Sequence, residues 1–342
     1  MSKKDVTTSG SFSVEEILGK QIGRDEILNK IQKSNVVNEW NSFIPEDQEK
    51  LLLFLEGKKG LQILNDRFYK KVFNPEVFPE RIESFISAVL GEHVTIERIL
   101  SREGTRIAEI GSQVIMDIVV RTENGAMVSV EMQRIGYLFP GERTSCYISD
   151  MVMRQYQTVR AERGKEFSYR DLKPVTLIVI MEKSSDEFRK VAPKYLHKRN
   201  SFYDSGVMVT DLENVIYISL DTFSENSQNG IGSELDAWLT FFSQNDTDEI
   251  IKLVKAYPQF IPMYKDIADF RKTPEEVISM FSEELKIMDR NTTKYMIDQI
   301  YLRAEEAEAK LDKAETERDK AVAENDRLRA LLEANGIQIP KE

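Results

Sequence analysis

The chain has 342 residues, of which 41% are hydrophobic and 31% are charged, and its formal net charge at pH 7 is −11. This composition is typical of a globular protein with enough material for one large or two modest domains. No apolar run approaches the roughly 18–20 residues that cross a bilayer, and the amino terminus lacks an apolar signal core. We therefore expect a cytoplasmic protein without membrane segments.

Cysteine and histidine are too scarce for several kinds of chemistry. The single cysteine, Cys146, excludes an intramolecular disulfide and a cysteine-based zinc finger. The only histidines are His93 and His197, which makes zinc hydrolases, histidine-metal nucleases and Ser-His-Asp catalysis poor candidates. Any reaction must depend mainly on carboxylates and lysines.

The first part of the chain is predicted to be helical. Residues 1–45 are polar with a short amphipathic piece, and we expect them to form an appendage. Helical periodicity begins at Pro45, and a second helix is predicted over Pro79–Leu90, ending at Gly91 as a C-cap. A strand is expected over Val94–Leu100.

Residues 114–133 predict a β-hairpin. Two runs rich in valine and isoleucine flank a turn sequence, Glu123-Asn124-Gly125. Each run carries one carboxylate, Asp117 and Glu131, and Gln133 follows on the same face as Glu131 because side chains alternate along a strand. Two acids converging on an otherwise apolar hairpin are costly to bury unless a cation neutralises them, and a Mg²⁺ site needs such oxygen ligands.

A second interpretation of the hairpin stays open. Charged strand residues usually lie on a solvated face, and an antiparallel hairpin with one wet face accounts for Glu131 without a metal. Asp117 favours the metal site, because it interrupts the apolar residues Val114–Val120, whose pattern leaves no clear solvated face.

The remainder of the chain completes a mixed α/β order. A helix is predicted over Glu142–Arg160, followed by strands over Pro174–Met181 and Val215–Leu220 and an acidic helical region to about residue 290. Residues 142–204 hold 13 basic against 9 acidic side chains, which is either a phosphate groove or an ordinary solvated surface. We expect the chain to divide into four parts, which are residues 1–45, 46–225, 226–292 and 293–335.

The last division predicts a coiled coil. Apolar and small residues step alternately by three and four over five repeats, and charged residues occupy most other positions. We expect a homodimer through this seam; the alternative is a single solvated helix held by ion pairs. The seam residues are Ile297, Ile300, Ala304, Ala307, Leu311, Ala314, Arg318, Ala321, Asn325, Leu328 and Leu332.

Several motifs in this order resemble the PD-(D/E)XK nuclease family transposases, also called recombination-promoting nucleases. Residues 66–73 resemble the family's leading D-x-x-F-K-x-x-F box, and the hairpin resembles its core of D-I, D/N-G and E-x-Q. Arg143, Tyr147 and Gln155 resemble its next helix, residues 169–178 its next strand, and residues 235–241 a later helix. The resemblance covers roughly residues 60–305, without the first 45 residues or the heptad tail.

The resemblance implies an α/β (α+β) fold with a PD-(D/E)XK restriction-endonuclease-like core, a mixed central sheet flanked by helices. It also implies hydrolysis of DNA phosphodiester bonds with Mg²⁺ or Mn²⁺ held by Asp117 and Glu131. Glu83 or Asp66 would be an additional ligand. Gln133 would orient the attacking water, at a position where the wider fold's signature has a lysine and the family resembled also has Gln. Whether a basic residue, Arg134 or Arg143, supplies the missing charge stays open.

Two other functions stay open. The first is a nuclease-fold protein that does not catalyse and serves as a DNA-binding or assembly module, which the missing lysine and the acidic net charge favour. The second is an RNase H-like transposase, which fits less well because its three acids would be spread over more of the chain. No Walker A sequence supports nucleotide hydrolysis.

Overall fold

The structure, a computed structural model, describes residues 13–61, 72–100, 117–135, 140–199, 203–207, 209, 211–226 and 230–335. Within these residues six strands form one sheet. They are β1 (Ile96–Ile99), β2 (Ile118–Thr122), β3 (Met127–Ile135), β4 (Val175–Lys183), β5 (Leu196–Lys198) and β6 (Glu213–Ser219).

Helices precede, interrupt and follow these strands. Those before β1 are α1 (Val14–Leu18), α2 (Arg24–Gln32), α3 (Val37–Ser42), α4 (Pro45–Glu56) and α5 (Pro79–Leu90). The later ones are α6 (Pro140–Arg163), α7 (Asp186–Arg189), α8 (Leu220–Asn226), α9 (Glu234–Ser243), α10 (Thr247–Ala256), α11 (Ile261–Phe270) and α12 (Pro274–Ala334).

The sheet is mixed, as the sequence predicts. Its strand order is β1-β2-β3-β4-β6-β5, with β3, β4 and β6 parallel and the other neighbours antiparallel. The predicted hairpin is confirmed as β2–β3, and Gly125 in its turn has a φ of +84°, a backbone conformation that favours glycine. Ile118 pairs with Val130. Asp117, one residue before β2, therefore stands opposite Glu131.

The two faces of the sheet bury different layers. One face, which includes Val120, Val130 and Ile180, packs in a large core with helices from both ends of the first unit. The other face, which includes Val119 and Val179, packs against α6 in a smaller apolar cluster. Because side chains alternate along a strand, Ser129, Glu131 and Gln133 belong to the α6 face.

Three predicted helices are confirmed, one of them at both of its predicted ends. Helix α4 begins at Pro45, and α5 runs from Pro79 to Leu90 and ends at Gly91, whose φ of +78° is left-handed. The predicted helix after the hairpin is α6. The described part of the chain has no helix that is both long and apolar enough to cross a membrane.

The amino-terminal helices correct the expected appendage. Ile17, Ile27 and Trp40 are buried in the same core as the helices after the sheet. A buried guanidinium, that of Arg271, joins these segments by donating to the carbonyls of Leu18, Lys20 and Leu55. The physical reason for the difference is that these short helices have few apolar residues, and those that are buried pack in a core shared with distant parts of the chain.

The chain separates into two compact units, and the predicted division into four parts stays a prediction. The first ends at Met288 and the second begins at Asp289, so the acidic helices α9–α11 belong to the first unit. The second unit is helical as far as Ala334 and exposes apolar side chains at the predicted heptad positions. Ile300, Leu311 and Leu328 are 64%, 60% and 50% exposed. The predicted coiled coil stays a prediction.

Candidate active site

The hairpin brings Asp117 and Glu131 together. The backbone N–H of Asp117 donates to Oε1 of Glu131 at 3.1 Å, and the backbone N–H of Met132 donates to Oδ2 of Asp117 at 2.8 Å. Each carboxylate is thus fixed by the backbone of the opposite strand. The arrangement follows from the antiparallel register, which places the two residues directly across from each other.

Glu131 is deeply buried. Only 3% of the residue is exposed, and the hydroxyl of Ser129 lies 3.0 Å from Oε1 as a further donor. Burial raises the pKa of Glu131 well above its ordinary value, and the negative charge of Asp117 raises it further. The N–H of Asp117, the hydroxyl of Ser129 and the positive charge of Arg143 oppose this effect without cancelling it.

Helix α6 covers this face of the sheet and supplies the nearby cation. The guanidinium of Arg143 lies 5.0 Å from the ring centroid of Tyr147, which belongs to the apolar cluster under α6. Packing against the ring holds the charge near the first turn of the helix. Since the charge of Arg143 lowers the pKa of Glu131, it acts electrostatically on the acid pair.

Gln133 lies on the same face, two residues beyond Glu131. It pairs with Met181 of the neighbouring parallel strand and is half-buried. Its amide is therefore placed along β3 from the acids, at a strand spacing of about 7 Å. The side chain of Arg134 and all of Asp66 lie outside the described residues.

The structure does not bring Glu83 to the acid pair. Its Oε1 accepts a hydrogen bond of 2.7 Å from the backbone N–H of Ile96, which pairs with Thr122. Thr122 is five residues from Asp117, or about 17 Å along a strand. The carboxylate of Glu83 instead joins α5 to β1, and helical periodicity alone could not show that its partner is a strand backbone.

The acid pair has the donor chemistry of a hard divalent cation. Burial of Glu131, and then repulsion by the Asp117 carboxylate, make its ionised form costly, as the raised pKa of Glu131 indicates. A divalent cation would remove this cost, leaving its other positions to water and phosphate oxygens. Among the described residues, no group of three or more His, Cys, Asp or Glu side chains is placed to hold a metal.

Ser129 and Gln155 are two site-related residues that sequence reasoning missed or left without a role. Ser129 stands two residues before Glu131 on the same face, a spacing that could have indicated its contact. Gln155 is almost fully buried on α6; its amide nitrogen donates to the carbonyl of Gly125, and its oxygen accepts from the N–H of Lys173. It fastens α6 to the hairpin turn and to the segment entering β4.

A mixed sheet with helices on both faces, and two facing carboxylates on its antiparallel hairpin, define a mixed α/β protein with a candidate acidic site. The family described as PD-(D/E)XK nuclease family transposase matches residues 63–306, more than two thirds of the chain. The chain belongs to this family. No curated protein and no solved structure matches it.

Proposed function

We propose that the protein is a divalent-cation-dependent DNA endonuclease that acts in recombination or transposition. The observation that carries the proposal is the buried pair of Asp117 and Glu131, each fixed by the backbone of the other's strand. Family membership supports a nuclease role, and a DNA strand is the substrate that such a role implies.

Each residue of the site has a separate task in this proposal. Asp117 and Glu131 hold Mg²⁺ or Mn²⁺, which when bound lowers the pKa of a water and neutralises charge on the phosphate. Ser129 holds the Glu131 carboxylate in place through its hydroxyl. Gln133 orients the attacking water by hydrogen bonding, and Arg143 supplies positive charge that a neutral amide cannot.

Plasmid nicking tests the proposal. The wild-type protein is expected to nick supercoiled DNA in Mg²⁺ or Mn²⁺ and not in EDTA, and Asp117→Asn and Glu131→Gln should lower the rate by at least a hundredfold. Glu83→Gln is the matched control, because its acid has a backbone partner elsewhere and its removal should leave most of the activity. Nicking by Asp117→Asn at the wild-type rate would refute the site.

A non-catalytic DNA-binding or assembly module is the second candidate. Two observations favour it: the described residues place only two acids at the site, and Gln133 stands where a lysine would supply charge. Calorimetry separates the two functions. The enzyme requires saturable Mn²⁺ binding that Glu131→Gln abolishes, whereas a non-catalytic module would show no such binding.

We further propose that the protein is a homodimer through residues 293–335. The apolar seam on this helix is exposed along its length, with Leu311 and Leu328 at least half exposed. Burying such a stripe against a second copy is what a heptad repeat provides. Light scattering should give twice the 39.5 kDa chain mass for the wild type, and the mass of one chain for Leu311→Asp/Leu328→Asp. A wild-type monomer would exclude the dimer.

A further inference from the structure

A cavity of about 530 Å³ opens between the first turn of α6 and strands β5 and β6. The proposed reaction does not use it. Its volume lies in the range of sites that hold one small organic molecule. The wall residues that matter here are Gly141, Glu142 and Ser145 on the helix, His197 and Tyr217 on the strands, and Arg199 directly after β5.

The cavity lies on the same face of the sheet as the acid pair and at the same height along the strands. Glu131 pairs with Val179, which pairs with Tyr217, which in turn pairs with His197. Paired residues on neighbouring strands share a face, so these side chains form one row across the sheet. At about 4.8 Å per strand, Tyr217 is about 10 Å and His197 about 14 Å from Glu131.

The two aromatic side chains that line the cavity, Tyr217 and His197, are held in place by their neighbours. The ring of Phe188 packs 4.8 Å from the ring centroid of Tyr217 and 5.0 Å from that of His197. The hydroxyls of Thr144 and Tyr217 are hydrogen-bonded at 2.5 Å, which links the Tyr217 side chain to α6. Fixed aromatic rings beside a nuclease site are surfaces on which a nucleobase can stack.

The polar groups of the walls carry both charges. The guanidinium of Arg199 is held by Glu213 at 2.7 Å, and Arg199 and Glu142 both act electrostatically on the hydroxyl of Tyr217. Nε2 of His197 is shielded from solvent and has no hydrogen-bond partner among the described residues. Lys198 adds a second positive charge to the wall, opposite in sign to Glu142. A nucleobase suits this mixture, because it offers amino donors to the carboxylate and acceptors to the guanidinium.

We propose that this cavity receives one unstacked base of the DNA strand that is cleaved at the acid pair. The base would stack on Tyr217 and His197, with Arg199 and Glu142 at its polar edge. The separation of about 14 Å corresponds to roughly four stacked nucleotides at 3.4 Å each, and to fewer in an extended strand. This inference rests on the proposed function, because it assigns the strand's path from the same site.

The test is a set of single-stranded oligonucleotides, each with one abasic residue at a successive position. Binding to the full-length wild-type protein is measured by fluorescence anisotropy in EDTA, so no cleavage is required. Loss of the base at one position, or at two adjacent positions, should weaken binding about tenfold. Stacking of a base on an aromatic side chain contributes substantially to the binding free energy. Uniform affinity across the set would overturn the proposal.

Two variants connect that position to the cavity. Ser145→Trp should fill the cavity, and Arg199→Gln should remove a polar partner of the base. In both variants, an abasic residue at the sensitive position should weaken binding much less than the tenfold expected for the wild type. The matched controls are Ser149→Trp, one turn along α6, and Arg189→Gln, an arginine that is likewise exposed and paired with one glutamate. An undiminished effect in both cavity variants would overturn the proposal.

Failure of this inference is distinguishable from failure of the nuclease assignment. Metal-dependent nicking without any sensitive abasic position would overturn the base pocket alone. A sensitive position without nicking would support the pocket and refute the enzyme. No binding of any oligonucleotide would overturn the base pocket, and plasmid nicking would decide the nuclease assignment separately.

Discussion

Replacing Glu131 by glutamine should stabilise the metal-free protein at neutral pH. The substitution keeps an oxygen that can accept from Asp117 N–H and Ser129, but it removes the buried charge. The folded-state pKa of Glu131 is raised to about 8, from an ordinary value of 4.5. Between these two values the unfolded chain is ionised while the folded protein retains its proton, so the wild type loses stability as pH rises.

The expected magnitude follows from this shift. Each pH unit in that window lowers the free energy of unfolding by about 1.4 kcal/mol, or about 3 kcal/mol between pH 5 and pH 7 as an upper value. Urea unfolding in EDTA at pH 5, 6, 7 and 8 measures it. The advantage of Glu131→Gln over wild type should be smallest at pH 5 and should grow toward pH 8. Saturating Mn²⁺ should stabilise the wild type and leave Glu131→Gln unchanged.

Glu56 provides the matched control, because it is equally buried but its pKa is shifted in the opposite direction. Hydrogen bonds from Arg24, which also forms a 3.0 Å ion pair with it, lower the pKa of Glu56. It therefore stabilises the fold above its unfolded-state pKa and loses that effect only as pH falls below about 4.5. Glu56→Gln should destabilise by a constant amount from pH 6 to pH 8. A flat difference between wild type and Glu131→Gln over the same range would refute the buried-charge reasoning.

Three further substitutions test other contacts. Ser129→Ala should weaken Mn²⁺ binding about tenfold by calorimetry, because the Glu131 carboxylate loses a positioning donor; unchanged affinity would contradict that role. Arg271→Met should lower the free energy of unfolding by about 3 kcal/mol in urea, while Lys272→Met, an exposed neighbour, should change it by less than about 0.5 kcal/mol. Gln155→Met should cost about 2 kcal/mol in the same assay, since two backbone groups lose their partner; a neutral result would show that water replaces it.

The acid pair was predictable because a hairpin has a simple periodicity. A recognisable turn fixes the register, and a register fixes which residues face each other, so Asp117 and Glu131 could be paired from the sequence alone. Glu83 was not predictable in the same way. On an amphipathic helix, an acid with a distant backbone partner looks the same as a solvated one, and its contact with Ile96 depends on tertiary packing.

The burial of the amino-terminal helices could not be predicted from the sequence, for a different reason. Their burial depends on segments about 250 positions away, to which composition and local periodicity are insensitive. Strand β5, only three residues long, is too short for any alternation to be recognised, although it brings His197 to the cavity wall. Short elements and long-range partners therefore account for most of what the sequence did not reveal.

Arg271 also constrains the order in which the protein can be assembled during synthesis. Its partners at Leu18 and Lys20 leave the ribosome some 250 residues earlier, which at 5–20 residues per second is on the order of 10–50 s. Throughout that interval these carbonyls lack the guanidinium, and the first helices have no complete surface to fold against. The first-made segment is thus among the last to reach its final environment.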